Sequence, residues 1–136
     1  MTKSHRKEKD SLGSIEVPAN ALWGAQTQRS LKNFDIGEEL MPIKLIYALA
    51  TIKQAAAIVN NRFGVLTDTK KNLIVDATQS ISQGIYDDQF PLKVWQTGSG
   101  TQTNMNVNEV ISNLSSKASG QALGSHLPVH PNDDVN

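Results

Sequence analysis

The sequence predicts a mainly α-helical domain, in which an irregular or short-stranded N-terminal region packs on antiparallel helices. Three observations carry this reading. Apolar residues recur at helical spacing over three stretches, starting near Pro42, Thr67 and Thr101. The segment before them, 11–37, is broken by Gly13, Pro18, Gly24 and Gly37 and holds only short apolar pieces such as Ile15, Val17, Leu22 and Trp23. Leu, Ile, Val and Phe make up about a quarter of the 136 residues, above the ~20% below which a charged chain tends to stay disordered.

Residues 1–10, MTKSHRKEKD, are charged and have no hydrophobic residue after Met1, so a mobile tail is expected there and a single domain over 11–136. The tail has neither the apolar stretch of a signal peptide nor the acid-poor composition of a transit peptide. Within 11–37 the stretch Trp23–Ser30, WGAQTQRS, is polar around one large aromatic and reads as a cap over the core. Pro42 suits a first helical turn. Behind it Leu45, Leu49, Ile52, Ala56 and Val59 form a helix face. Ile43, Ile46, Ala50, Ala55 and Ala57 widen it, which predicts a helix covered on more than one side. Gly64 marks its end. Thr67 is an N-cap candidate for a second helix, with Asp68 at its positive end. Leu73, Ile74, Ala77 and Ile81 supply the buried stripe of that helix, and Gly84 its stop. The two helices form an antiparallel pair without groups suited to chemistry. Asp87 and Asp88 read as surface acids of a loop.

Chemistry concentrates in Val94–Lys117. Gly98 and Gly100 flank Ser99, and a helical pattern follows at once, with Val107, Val110, Ile111, Leu114 and Ala118 on an apolar face and Asn106, Glu109, Asn113 and Ser116 opposite. A glycine-rich turn opening a helix leaves unpaired N–H groups at the positive end of the dipole. Thr97, Ser99 and Thr101 add hydroxyls. Together these can hold a carboxylate or a phosphate. A P-loop is disfavoured because no lysine follows the second glycine, and a dinucleotide fingerprint lacks its third glycine. An ordinary Ser/Thr-rich helix cap is the alternative. Against it stand Asn104, Asn106 and Asn108, mediocre helix formers whose cost calls for specific hydrogen bonds. A second concentration is Val129–Asn136, VHPNDDVN. His130 before Pro131 favours extended backbone, and Asn132, Asp133 and Asp134 favour a turn. This group reads either as a satisfied turn or as a small polar ligand site. A metal reading of His130 is weak, because no second histidine lies at ligand spacing and His126 is only a loose candidate; His126 itself reads as a surface residue.

Thirteen basic and thirteen acidic side chains balance, which gives no sign of a nucleic-acid partner. The absence of cysteine excludes a disulfide scaffold, a thiolate metal site and a cysteine nucleophile. No apolar run approaches the ~20 residues that a membrane span needs. A soluble domain of a reducing compartment is expected.

WGAQTQRS at Trp23–Ser30, WQTGSGTQTNMNVNEV at Trp95–Val110 and VHPNDDVN at Val129–Asn136 together resemble class II fumarate hydratase, the fumarase branch of the fumarase/aspartase superfamily. The resemblance runs from about Lys9 to Asn136. Aspartate ammonia-lyases are similar here, but they typically read GGAGT where this chain reads TGSGT. The resemblance implies reversible hydration of fumarate to (S)-malate in the citric acid cycle, without metal or organic cofactor, in a cytoplasmic homotetramer. It implies removal of the C3 proton to give an aci-carboxylate, with acid-assisted loss of the C2 hydroxyl. Carried over by motif, Ser99, Gly100 and Thr101 contact the substrate carboxylate, and His130, Asn132 and Asp133 belong to a second dicarboxylate-binding segment. The family's catalytic acid and base have no counterpart here, so the resemblance implies an N-terminal part that runs into the start of a central helical domain and is inactive alone. Other readings are a stand-alone dicarboxylate-binding or assembly module, and an aspartase-like ammonia-lyase.

Overall fold

The structure, a computed structural model, describes residues 4–136. An antiparallel hairpin, β1 (His5–Asp10) and β2 (Gly13–Pro18), is followed by four helices: α1 (Ala25–Asn33), α2 (Ile43–Arg62), α3 (Asp68–Ser82) and α4 (Thr101–Ala118). A 3-10 turn at Asp87–Gln89 precedes α4, and a π-type helical turn at Pro131–Val135 closes the chain. The fold is the mainly α architecture expected.

Several local expectations hold for the expected reasons. Helix α2 starts directly after Pro42 and α3 after Thr67, whose hydroxyl accepts from the Lys70 N–H at 3.3 Å with Asp68 in the first turn. The expected tail differs. Residues 1–3 lie outside the described residues, but His5–Asp10 pair with Gly13–Pro18 in register His5↔Pro18 to Asp10↔Gly13. The reason lies in two charged side chains. Glu8 is buried, and the Arg6 guanidinium donates to the carbonyls of Pro18, Ala19, Ala21 and Trp23 as well as to Glu8. The basic cluster of this segment is in part a clamp on the following loop.

Helix α4 is central. Val107, Val110 and Ile111 are fully buried and meet Ile46 and Ala50 of α2, Ile74 and Ile81 of α3, and Leu22, Phe90 and Val129 from the loops. Each such aliphatic side chain stabilises by roughly 1.5–3 kcal/mol through burial. The polar side of α4 is buried as well: Asn106, Asn108, Glu109, Ser112, Asn113 and Ser116 are all inside. These groups bond to irregular neighbouring segments. Asn106 donates to Gln89 O, Asn113 to Leu22 O, Ser112 to Val129 O and Ser116 to Leu127 O, while Asn113 Oδ1 accepts from Gly124 N–H. The asparagines are therefore partly a scaffold for loops. Ala118, expected on the apolar face, is exposed beyond the packed part.

Helix α2 departs from expectation in orientation. Its buried face is Ile46, Ala50, Lys53 and Ala57. The more regular stripe through Leu45, Ile52 and Val59 points outward, so α2 is covered on one side only within the described residues. Its 20 residues are also long and apolar enough, by length and composition, to cross a membrane, a run the sequence reading did not register.

Gly124 lies in the loop after α4 at φ +78, and a Cβ there would sit 2.7 Å from Glu8 Oε1 and 2.9 Å from Glu8 Cδ. That carboxylate is pinned by Arg6 and by the Ala25 N–H. Gly124→Ala is expected to destabilise by about 2–4 kcal/mol, from left-handed backbone strain plus the forced shift. The urea unfolding midpoint checks it.

Candidate functional site

The start of α4 is built as the glycine pattern requires. Gly100 occupies the left-handed region (φ 70) as the helix N-cap, a conformation a β-carbon would strain. Gln96 Oε1 accepts from both the Thr103 N–H and the Thr103 hydroxyl, and Asn104 N–H bonds to Gly100 O. The N–H groups of Thr101 and Gln102 have no partner among the described residues. Beside them three hydroxyls stand in series, Thr97 Oγ1 3.3 Å from Ser99 Oγ and Ser99 Oγ 3.0 Å from Thr101 Oγ1. Ser99 and Thr101 are exposed. Free N–H groups, rotatable hydroxyls and the positive end of an 18-residue helix favour an anion with two or more acceptor oxygens.

Thr101 and Gln102 form one wall of a cavity of about 240 Å³; the others are Gln26, Arg29, Ser30 and Asn33 of α1 and the β1–β2 turn. Arg29 is held rigidly there, Nε 2.7 Å and Nη2 2.9 Å from the two Asp10 carboxylate oxygens, with Nη2 also donating to Gly13 O. The guanidinium beside Asp10 keeps that carboxyl below its ordinary range. Thus WGAQTQRS both covers the core, through Ala25, Thr27 and Ser30, and lines the cavity, through Gln26 and Arg29.

A second cavity of about 250 Å³ is lined by Lys9, Met105, Glu109, His126, His130 and Asn132 among others, and shares Asp10, Ser11 and Gln26 with the first. His130 is the N-cap of the closing turn: its Nδ1 accepts from the Asn132 and Asp133 N–H groups, each at 3.2 Å. That use of Nδ1 leaves the proton of the neutral ring on Nε2, a donor. Asp134 anchors the turn, accepting from His130 N–H and from Lys70 Nζ at 2.8 Å. The predicted residues therefore fall into two neighbouring groups. Thr101 lines one cavity, His130 and Asn132 line the other, and Ser99 and Gly100 stand at the mouth of α4 beside Thr101. Asp133 lines neither; its carboxylate stays exposed, 3.5 Å from His130 Nδ1.

Two residues are placed differently from the sequence reading. His126, read as a surface residue, is half-buried at φ 58 with its ring edge-on to His130, centroids 4.9 Å apart. Burial and the neighbouring imidazole push its pKa down, against a smaller upward pull from Glu8. Glu109 is the other. Its carboxylate accepts from the N–H groups of Gly24, Gln26 and Thr27 and from the Thr27 hydroxyl, the last at 2.6 Å. It thereby caps α1 and joins WGAQTQRS to α4. The one sequence signal was an acid on the polar face of a helix next to a capless Gly-Ala-Gln-Thr start. Asp87 is less free than a loop acid, since both its oxygens accept from the Tyr47 hydroxyl.

A sequence model of the lyase family matches residues 13–136. The chain is 63% identical over 136 residues to the class II fumarate hydratase of Prochlorococcus marinus subsp. pastoris, covering 100% of this chain and 30% of that protein. It is 58% identical over 131 residues to the class II fumarate hydratase of Pseudomonas putida, covering 96% of this chain and 28% of that one. Among solved structures, recombinant class II fumarase from Schistosoma mansoni superposes with a TM-score of 0.94 at 46% identity, over 98% of this chain and 28% of that one. The fumarate lyase:delta crystallin of Brucella melitensis in native form does so at 0.94 and 40% identity, over 98% and 31%. The chain spans about 30% of the length of the curated relatives it matches.

Proposed function

The chain belongs to the lyase family, in its class II fumarate hydratase branch, and from that premise we propose that it supplies the part of a fumarate hydratase that grips substrate carboxylates. The observation that carries this reading is the pair of partnerless N–H groups at Thr101 and Gln102, set beside the hydroxyls of Ser99 and Thr101 at the start of α4. Hydration of fumarate and its reverse pass through a species with extra negative charge on one carboxylate. Donors fixed in advance around that carboxylate bind the charged species more tightly than the ground state and lower the barrier. In this reading Ser99, Gly100 and Thr101 hold the reacting carboxylate. His130, through Nε2–H, and Asn132 form the adjoining subsite for a second carboxylate, and Asp133 serves it only from the turn, its N–H orienting the His130 ring.

General acid and base must reach the substrate within hydrogen-bond distance. No residue of the two cavities is assigned these roles, so the chain alone is expected to turn nothing over. The working enzyme in this reading is a cytoplasmic homotetramer that acts on fumarate and malate, with no membrane or nucleic-acid partner and no metal or organic cofactor.

The test is a chimera in which residues 1–136 replace the matching part of the Prochlorococcus protein. It is expected to convert malate to fumarate, read by absorbance. Thr101→Ala in it should lower kcat by about 100-fold or more, the loss that follows removal of one preorganised donor, with the melting temperature unchanged. A folded chimera without turnover, or wild-type kinetics in the variant, overturns the reading. Ammonia released from aspartate instead would move the chain to the ammonia-lyase branch. Because both cavities carry binding groups, a second reading is a dicarboxylate-binding module. Saturable malate-induced shifts of the Thr101 and Gln102 amides in the isolated chain would favour it.

A further inference from the structure

The second cavity divides its ionisable groups by sign. The acids that face it already have partners. Asp10 of β1 is held by the Arg29 guanidinium, and Glu109 of α4 accepts from three backbone N–H groups and the Thr27 hydroxyl. Glu8 of β1, packed against Gly124 in the loop that carries His126, accepts from Arg6 and from the Ala25 N–H. On the closing turn Asp134 is taken by Lys70, and Asp133 is exposed beside His130. The bases are the reverse. The Lys9 ammonium and both ring nitrogens of His126 have no hydrogen-bond or ion-pair partner among the described residues. His130 adds its Nε2–H, since its Nδ1 is engaged by the turn. Answered acids and free bases make this hollow a receptor for a negatively charged group.

Among these bases His126 is the one placed to change its state. It sits in the left-handed region at φ 58, uncommon for a residue with a β-carbon, and its ring stands edge-on to His130 with centroids 4.9 Å apart. Half burial and the imidazole beside it favour the neutral ring, and Glu8 pulls the other way. A carboxylate brought within ~4–6 Å turns that balance toward the protonated ring.

We propose that His126 grips the second carboxylate of the substrate as an imidazolium, taking up one proton as the ligand enters, so that this subsite tightens as pH falls. This rests on the reading of His130 and Asn132 as a carboxylate subsite, and adds His126 and the proton to it. The proton comes from solvent and forms the second N–H bond of the ring; the carboxylate stays ionised and accepts from it. The sign follows from reciprocity: a ligand that raises the ring's hold on its proton is held more tightly by the protonated ring, by the same factor. Affinity is full below the titration midpoint of the free ring. It falls by up to about tenfold per pH unit between that midpoint and the higher one of the occupied site, and is flat above both.

Every group named for the subsite lies within the chain, so the chain itself carries the test. The probe is succinate, a dicarboxylate without the double bond or hydroxyl on which hydration acts. The chain has three histidines, His5, His126 and His130, whose ring C–H signals can be followed by NMR across pH with and without succinate. Saturating succinate is expected to raise the His126 midpoint by about one pH unit or more, with a matching gain in affinity of about tenfold toward low pH. His126→Asn, which tolerates left-handed backbone, should keep the melting temperature and lose that gain. An unmoved His126 midpoint while the His130 ring and the Asn132 amide respond overturns the proposal and leaves the carboxylate subsite standing. A wild-type pH dependence in His126→Asn overturns it by placing the proton on His130. An equal response to sodium chloride at matched ionic strength overturns it as screening. Silence at His126, His130 and Asn132 alike removes the subsite and the proposal together. Turnover by the chimera is read separately, so the hydratase reading and this one can fail apart.

Discussion

Glu109→Ala is expected to cost the chain about 3–5 kcal/mol, the largest loss among the polar substitutions considered. The carboxylate is the sole acceptor described for the N–H groups of Gly24, Gln26 and Thr27 and for the Thr27 hydroxyl. Truncation leaves donors unsatisfied in a place where Thr27 is fully buried. The expected reading is a urea midpoint shifted well down with the slope retained, and a loss below 1 kcal/mol would refute the capping role. Glu109→Gln tests the charge. Burial pushes the Glu109 carboxyl above its ordinary value, and the four donors pull it back only in part. The folded state therefore holds this proton at higher pH than the unfolded state does. The contribution of the group to stability is complete below the unfolded value of 4.5 and is lost as pH rises through the raised folded value. The advantage of the wild-type chain over Glu109→Gln should accordingly shrink as pH rises from there. An advantage that grows with pH would show that the donors outweigh burial.

Arg6→Met should be the second large effect, about 3–4 kcal/mol, because it removes one partner of a largely buried pair and takes the guanidinium from the carbonyls of Ala19, Ala21 and Trp23, while Pro18 O keeps the Ala21 N–H. Its guanidinium reaches Pro18 O, Ala21 O and Trp23 O at 2.7–2.9 Å and Glu8 at 2.8 Å. The loop so held leads straight into Gly24, the N-cap of α1. The substitution should therefore also disturb Gln26 and Arg29 at the cavity wall. Amide spectra should show changes reaching α1, and Arg6→Lys should fail to rescue, since one ammonium group cannot span the same set of carbonyls. Changes confined to residues 4–12 would contradict the clamp.

The two substitutions mark where the sequence was legible and where it was not. Helices α2, α3 and α4 announced themselves through periodicity, and Thr67, Gly64, Gly84 and Gly100 through turn and cap chemistry that depends on neighbours only a few positions away. The start of α4 was readable as a donor-rich site for the same reason. Arg6, Glu8 and Glu109 were not, because apart from the Arg6–Glu8 pair itself their partners lie 12–17 and 82–85 positions away, and no local pattern separates a clamp from a solvated charge. The orientation of α2 failed for a different cause. A helix apolar on both faces carries no mark saying which face the core will take, and here the smaller side chains Ala50 and Ala57 went inward beside Ile46.

Helix α4 grips irregular backbone near Leu22, Gly24, Gln89, Gly124, Leu127 and Val129 through its own side chains. Those segments have little lattice of their own to hold them closed. Amide hydrogen exchange should reflect this: Gly24, Thr27 and Gly124, although outside the middle of any helix, should exchange as slowly as the centre of α4. They should open in step with it as denaturant is added, as one cooperative unit rather than as loops that breathe independently. The rigidity of the binding walls is in that sense borrowed from one helix.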